Sequence, residues 1–333
     1  MMLPAPKPLC FLTEIPDEDT IIAWLRDLRR NAYVPGSSYQ VAVVMMMKVP
    51  GGYYFFGGVN AESAEHRLSL HGEESAIAAL ATAFGKAAVI DAVWLMAAPD
   101  YLTSPTPDAL ADVQGQTCGN CRQQISGLAV AGNIPVRTIS LNGQGVTDTI
   151  ETLLPKSFSF GDFDPAIAAR RAQDRARKNS PDYTAIENRL IRNAHQDNSA
   201  IFAWLCDLES IDYASGQPQA VILSLSNGAF VAGVRVENAA YTGLNAVQAA
   251  IGVASTAFGG VGVAGVHILS GLYPPSLAAL QILRERIIDR TVPVTLYSAG
   301  GEAVSMPFNR MPDYAFGFKT PPLTLRDGGL FES

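Results

Sequence analysis

One stretch of this chain is present twice, and a chain that contains itself twice must build one unit two times over. Leu70-His71-Gly72-Glu73-Glu74-Ser75-Ala76-Ile77 aligns with Leu244-Asn245-Ala246-Val247-Gln248-Ala249-Ala250-Ile251. Without a gap, Thr82-Ala83-Phe84-Gly85 then falls on Thr256-Ala257-Phe258-Gly259. Upstream, Gly58-Val59-Asn60-Ala61-Glu62 answers Gly233-Val234-Arg235-Val236-Glu237. Near the end of each unit, Leu154-Pro155-Lys156-Ser157-Phe158 matches Met311-Pro312-Asp313-Tyr314-Ala315-Phe316. Chance could produce any one of these; their common order implies a duplicated domain. The polar stretch from about Asp162 to Asn188 reads as the connection. The expected organisation is a first domain over 1–160, a linker over 161–188, a second domain over 189–320 and a tail over 321–333.

Each unit alternates between strand and helix patterns. In the first, Gln40 to Lys48 and Tyr53 to Val59 flank the turn Pro50-Gly51-Gly52 and predict a hairpin. Ser75 to Phe84 is Ala-rich and ends at Gly85, as a helix should. Val89 to Met96 predicts a buried strand, Gly119 to Leu128 a helix, and Val136 to Leu141 a further strand. The second unit repeats the series: Ala220 to Leu225, Phe230 to Val236, a helix through Phe258, Gly265 to Leu269, a helix over Leu277 to Ile288, then Val292 to Tyr297. A hairpin followed by helix–strand units implies an α/β fold, a mixed sheet with helices packed on its faces.

The copies differ where chemistry would sit. Against His71 and Glu73 the second unit has Asn245 and Val247, and its counterpart of Cys118-Gly119-Asn120-Cys121, near Ser276, has no cysteine. A purely structural feature tends to survive in both copies, so the asymmetry marks His71, Glu73, Cys118 and Cys121 as one functional set. His71, Cys118 and Cys121 are N/S donors suited to Zn²⁺, and three protein ligands leave a fourth position for water. Glu73 lies two residues from the histidine, within reach of such a water's proton. The C-x-x-C alone also fits a redox pair, while a structural zinc ribbon would need a second ligand pair. Cys10 and Cys206 read as packing thiols, and His66, His195 and His267 as surface or core residues.

Taken together these pieces resemble the cytidine deaminase family, with its H-x-E and C-x-x-C motifs and a glutamate that is not a ligand. Tyr33-Val34-Pro35-Gly36-Ser37-Ser38-Tyr39-Gln40-Val41 is similar to the family's Tyr-x-Pro-Tyr-Ser-x-Phe-x-Val segment, Asn60-Ala61-Glu62 to its N-x-E, and Cys121-Arg122-Gln123 to its cysteine motif. Leu154-Pro155 with Phe158 resembles its closing motif, and Glu237-Asn238-Ala239-Ala240 the second domain of its two-domain, homodimeric bacterial form. The resemblance implies a duplicated three-layer α/β/α fold with helices on both faces of each mixed sheet. It implies one zinc per chain on His71, Cys118 and Cys121, with Glu73 as the catalytic acid/base. Asn60 and Glu62 would hold the ribose, Tyr39 would stack on the base, and the backbone at Gly72 would read the base edge. The implied activity is that of a hydrolase acting on C–N bonds of cyclic amidines: cytidine or 2′-deoxycytidine to the uridine nucleoside and ammonia, in pyrimidine salvage. The second half, inert, would support a homodimer.

Two departures from the family pattern bear on the substrate. Thr117 stands where the family has proline before the first cysteine, and Asp100 to Gln116 is longer than the usual connection. A lid, a remodelled base pocket and a plain surface insertion all fit that stretch. A modified or antibiotic-type aminopyrimidine nucleoside is therefore an alternative substrate, and a zinc-stabilised nucleoside-binding protein without turnover is another reading.

Composition excludes other partners. The net charge is −7 and no Lys/Arg run forms a basic stripe, which disfavours nucleic acid. Arg170 to Lys178, the densest basic stretch, is interrupted by Ala, Gln and Asp and reads as a solvated helix face. The N-terminal stretch lacks the charged start and long apolar run of a signal peptide, and the apolar run Ala87 to Ala98 is short and broken by Asp91. The expectation is a soluble cytoplasmic protein with no membrane contact.

Overall fold

The computed structural model describes residues 3–159, 183–193, 195–211, 219–240 and 242–314, with isolated positions at 162, 166, 169 and 173. Most of the expected linker, the basic stretch, Ala315 and Phe316 of the second closing motif, and the 321–333 tail lie outside these residues. Two six-stranded sheets result. The first comprises β1 (Leu9–Leu12), β2 (Tyr39–Val49), β3 (Gly52–Val59), β4 (Ala92–Pro99), β5 (Pro135–Ile139) and β6 (Gly145–Thr149), in the order β1-β3-β2-β4-β5-β6. The second comprises β7 (Ile191–Arg192), β8 (Ala220–Leu225), β9 (Phe230–Val234), β10 (Val263–Leu269), β11 (Pro293–Tyr297) and β12 (Ala303–Pro307), in the order β7-β9-β8-β10-β11-β12. Strand for strand the order is the same. In each sheet the pairing is antiparallel except at one place, β4 with β5 and β10 with β11. The duplication read from short matches is thus a duplication of topology.

Helices cover both faces. In the first unit α1 (Glu18–Arg29) lies on one face and α2 (Gly72–Phe84) with α3 (Gly119–Leu128) on the other, followed by the short α4 (Ile150–Leu153). α1 is capped by Asp17, whose side chain accepts from Thr20 N, and it buries Ile21, Ile22, Trp24, Leu25 and Leu28. These pack on Ala42, Val44, Met46, Phe55 and Val59, the side chains that alternate onto that face. Each of the larger side chains, Val, Leu, Ile, Met or Phe, contributes about 1.5–3 kcal/mol by leaving water. Val43, Met45, Met47, Tyr54 and Phe56 point the other way, into the core under α2. In the second unit α6 (Asn198–Ile211) corresponds to α1, α7 (Ala246–Phe258) to α2 and α8 (Leu277–Arg286) to α3. α5 (Tyr183–Leu190) precedes β7, buries Ile186 and Leu190, and lies against α2.

The units share a layer. α2 packs against α7, and one contiguous core runs through both sheets. Cross-unit hydrogen bonds pin the contact: Asn31 Nδ2 donates to Thr256 O at 2.7 Å, Val234 N to Thr82 Oγ1 at 3.3 Å and Arg189 Nη1 to Ala83 O at 3.1 Å.

The stretch Asp100 to Gln116 is a folded strap rather than a free loop. Buried Arg29 donates to the carbonyls of Gln40, Ala98, Pro99 and Leu102, tying the start of the strap to α1 and the sheet. Asn142 accepts from Thr106 N and donates to Thr106 O and Asp112 Oδ1. Leu102 and Ala111 are buried in the α1-side core.

Candidate metal centre and active site

Two helix N-termini meet over the first sheet, and the sequence-predicted ligands sit on them. His71 is the N-cap of α2 and Cys118 the N-cap of α3, with Cys121 inside the first turn of α3. The ligating atoms of His71, Cys118 and Cys121 all lie within 4.8 Å of one another. Both sulfurs approach His71 Nδ1, Cys118 at 3.4 Å and Cys121 at 3.3 Å. Helix N-termini carry partial positive charge, which favours thiolates and any anionic species held there.

The three side chains divide their protons unevenly. Hydrogen bonds from Cys121 and His71 pull the Cys118 thiol down to about 3. The same bond to Cys118, with burial, pushes Cys121 up. His71 rises to about 9, first through its bond to Cys118 and also through the nearby Glu74. One imidazole nitrogen and two sulfurs at this spacing form a donor set that fits Zn²⁺ in composition and reach. Glu73 is buried at 3% exposure, and desolvation lifts its carboxyl to about 7, beside Cys121. A carboxyl held near neutrality can both accept and return a proton.

Glu74 is the residue the sequence reading passed over. Its Oε2 accepts from His71 N at 2.9 Å. Its Oε1 accepts from Asn120 Nδ2 at 3.0 Å and Gln124 Nε2 at 2.7 Å. One buried carboxylate therefore fastens the first turn of α2 to the first two turns of α3. Gln124 Nε2 also donates to Thr242 O of the second unit at 3.3 Å, and its buried Oε1 finds no hydrogen-bond partner among the described residues. The available signal was the spacing His71-x-x-Glu74, that of a capping box. Asn245 and Gln248 keep the box in the second unit, with Asn245 Oδ1 accepting from Gln248 N at 2.9 Å and Gln248 Oε1 from Asn245 N at 3.2 Å. The structural role of this position survives in both copies; the donor triad exists in one.

The remaining expected site residues are spread along the adjoining strand ends. Asn60 Oδ1 accepts from Val41 N, and its Nδ2 donates to Tyr39 O, both at 2.8 Å. Glu62 Oε2 accepts from Gly36 N and Ser37 N at 2.8 and 3.1 Å; against desolvation, the Ser37 side chain and then these backbone bonds hold its carboxyl below the usual range. Tyr39 is half-buried at the start of β2, and burial raises its phenol. Gly72 is buried over β2, where a Cβ would lie 3.1 Å from side-chain carbons of Val41 and Val43. Thr117 is buried and accepts from Arg122 Nε at 3.2 Å, while Arg122 Nη1 donates to Leu153 O at 3.1 Å. Gln123 exchanges hydrogen bonds with the backbone of Phe158. The cysteine motif and the closing motif are thereby one assembly.

A duplicated α/β fold with an N/S donor triad and a buried carboxyl at the meeting of two helix N-termini defines a class, proteins whose site has the donor set of a metal centre. A cytidine deaminase of Mycoplasma pneumoniae is 34% identical over 109 residues, covering 33% of this chain and 70% of that protein. The chain belongs to the cytidine deaminase family, in a two-unit form that carries the sheet twice. Solved structures of cytidine deaminases from Burkholderia pseudomallei and Mycobacterium leprae superpose on 43% of this chain and all of theirs, with 23% and 25% identity and TM-scores of 0.35 and 0.32. No family model matches.

Proposed function

We propose that the protein hydrolyses cytidine or 2′-deoxycytidine to the corresponding uridine nucleoside and ammonia, in pyrimidine salvage. The observation that carries this reading is the convergence of His71, Cys118 and Cys121 within 4.8 Å, with Glu73 buried beside them. These three side chains would hold one Zn²⁺, which when bound lowers the pKa of a water to near neutrality. Glu73 takes the proton of the attacking water and places it on N3 of the base, making C4 more electrophilic. It then takes the second proton, from the hydroxyl now on C4, and passes it to the exocyclic nitrogen, so that the C4–N bond breaks, the C4 carbonyl forms and ammonia leaves. Its buried position excludes bulk water from both transfers. Asn60 and Glu62 face the ribose hydroxyls with the acceptor and donor capacity left by their backbone bonds. The Tyr39 ring packs against the base, and the backbone at Gly72 reads its edge.

Residues 1–160 act as the catalytic domain and 189–320 as a non-catalytic domain, joined by 161–188 and followed by the tail 321–333. The assembly is a homodimer working in the cytoplasm; among the described residues no helix is long and apolar enough to cross a membrane. A modified aminopyrimidine nucleoside is a second reading, favoured by Thr117 and the anchored strap before it.

A nucleoside panel followed by ultraviolet loss and ammonia release tests the first reading. Turnover of cytidine or deoxycytidine is expected, and Glu73→Gln should cut kcat by at least about 10³-fold while keeping zinc at one per chain. Inactivity of the wild type on both nucleosides would overturn it. Wild-type nucleoside binding without any hydrolysis would point to the non-catalytic reading.

A further inference from the structure

The segment Asn60-Ala61-Glu62 is bonded within its own unit, and the second unit backs the residues that hold it. Tyr33 brackets it through the backbone, with Tyr33 N donating to Asn60 O at 3.0 Å and Glu62 N to Tyr33 O at 2.8 Å. The Tyr33 ring in turn lies against the guanidinium of Arg286, 3.8 Å from the ring centroid, at the end of α8 in the second unit. Arg286 is buried at 6% exposure, so the cation and the ring meet where water competes weakly. Asn31, two residues before Tyr33, is hooked to Thr256 O.

The neighbouring residue on α8 grips the other flank. Glu285 Oε1 accepts from Ser63 Oγ at 2.8 Å, and Oε2 accepts from Ala64 N at 3.0 Å. Gln281, one turn earlier, donates from Nε2 to Glu285 Oε1 at 2.8 Å and fixes the carboxylate. A carboxylate suits this place because two separate donors, a hydroxyl and a peptide N–H, need one acceptor each, and charge strengthens both bonds.

We infer that Glu285 and Arg286 are positioning residues for the nucleoside pocket: the end of α8 grips Ser63 and Ala64 directly and backs residues 60–62 through Tyr33. The inference rests on reading Asn60 and Glu62 as ribose contacts. A segment ordered before the substrate arrives does not charge its ordering entropy to binding. Loosening it should therefore weaken substrate binding while leaving the proton transfers at Glu73 unaltered. An interface that served only to hold the halves together would move the melting temperature and leave KM alone.

The test uses the full chain, with kcat, KM for cytidine, zinc content and melting temperature measured on Glu285→Ala, Glu285→Gln, Ser63→Ala and Glu62→Gln. Glu285→Ala should raise KM roughly tenfold, with kcat and zinc content within about twofold of wild type. Glu285→Gln keeps one acceptor oxygen and should recover part of the loss. Ser63→Ala removes one hydroxyl and should raise KM about threefold, which keeps the test open if Glu285→Ala does not fold. If Glu62→Gln raises KM while the Glu285 and Ser63 variants shift only the melting temperature, the inference is overturned and the pocket reading stands. If Glu62→Gln leaves KM unchanged, the pocket reading has failed and the inference falls with it.

Discussion

One residue along from Glu73, a second buried carboxylate faces the opposite task. In the proposed reaction Glu73 exchanges protons; Glu74 is occupied, accepting from His71 N, Asn120 and Gln124. Groups that orient ligands without touching the metal commonly matter about 10–100-fold in metal affinity. Glu74→Gln keeps one acceptor oxygen: turned toward Asn120 and Gln124 it sets its N–H₂ against His71 N, and turned toward His71 it opposes both amide donors unless they flip. We expect zinc affinity to fall at least about tenfold in chelator competition, with the fold retained by circular dichroism. An affinity within about twofold of wild type would remove Glu74 from the ligand scaffold. In sequence this carboxylate reads as an ordinary helix-capping residue, because the spacing His71-x-x-Glu74 reports only its local bond. Its two other donors come from a helix some fifty positions away in the chain, which no local pattern can show. His71, Cys118 and Cys121 were legible because side chains that bind metals are few and the second copy lacks all of them.

At the scale of elements, the central helices are seated by glycine. A Cβ on Gly58 would stand 2.2 Å from Gly72 O and 2.3 Å from Ala76 N; one on Gly233 would stand 2.2 Å from Ala250 N and 2.5 Å from Ala246 O. These are the same contacts in both copies, β3 against α2 and β9 against α7. The first matters more for the site, since Gly72 follows His71. Gly58→Ala should cost about 1–3 kcal/mol by chemical denaturation and also reduce bound zinc, whereas Gly233→Ala should cost a similar amount with zinc retained. Equal zinc content in the two variants would show that α2 can shift without moving its ligand. The central strands and helices were legible because their apolar runs are long and buried. α1, α6 and the edge strands were not read. α1 carries a capping Asp17 and an Ile21, Trp24, Leu25, Leu28 stripe that helical spacing would have revealed. The edge strands β6 and β12 are only five residues each, and β6 is half-buried at most. Their partners are chosen by the sheet, so propensity alone could not place them.

For the whole molecule, the second unit contributes to stability in a pH-dependent way through His267 on β10. Burial lowers its pKa from 6.5 to about 4, with Nδ1 lying 3.3 Å from the Tyr297 hydroxyl. Between those values the unfolded chain holds a proton there that the folded chain refuses, so stability falls as pH drops from about 6.5 to about 4. Below that window the group adds no further loss. Allowing for its partial exposure, the effect is on the order of 2 kcal/mol. His267→Asn should flatten the acid limb of the denaturation midpoint across that window, relative to wild type. An unchanged acid slope would assign the loss to other groups.

The layer that α2 and α7 form together belongs to neither unit. Each helix covers the apolar face that the other would leave bare, so deleting the second copy would open a large greasy wall on the first. The packing role of the second copy is thereby independent of any chemistry. That copy lacks the donor triad and still serves as the inner wall of the unit that carries it.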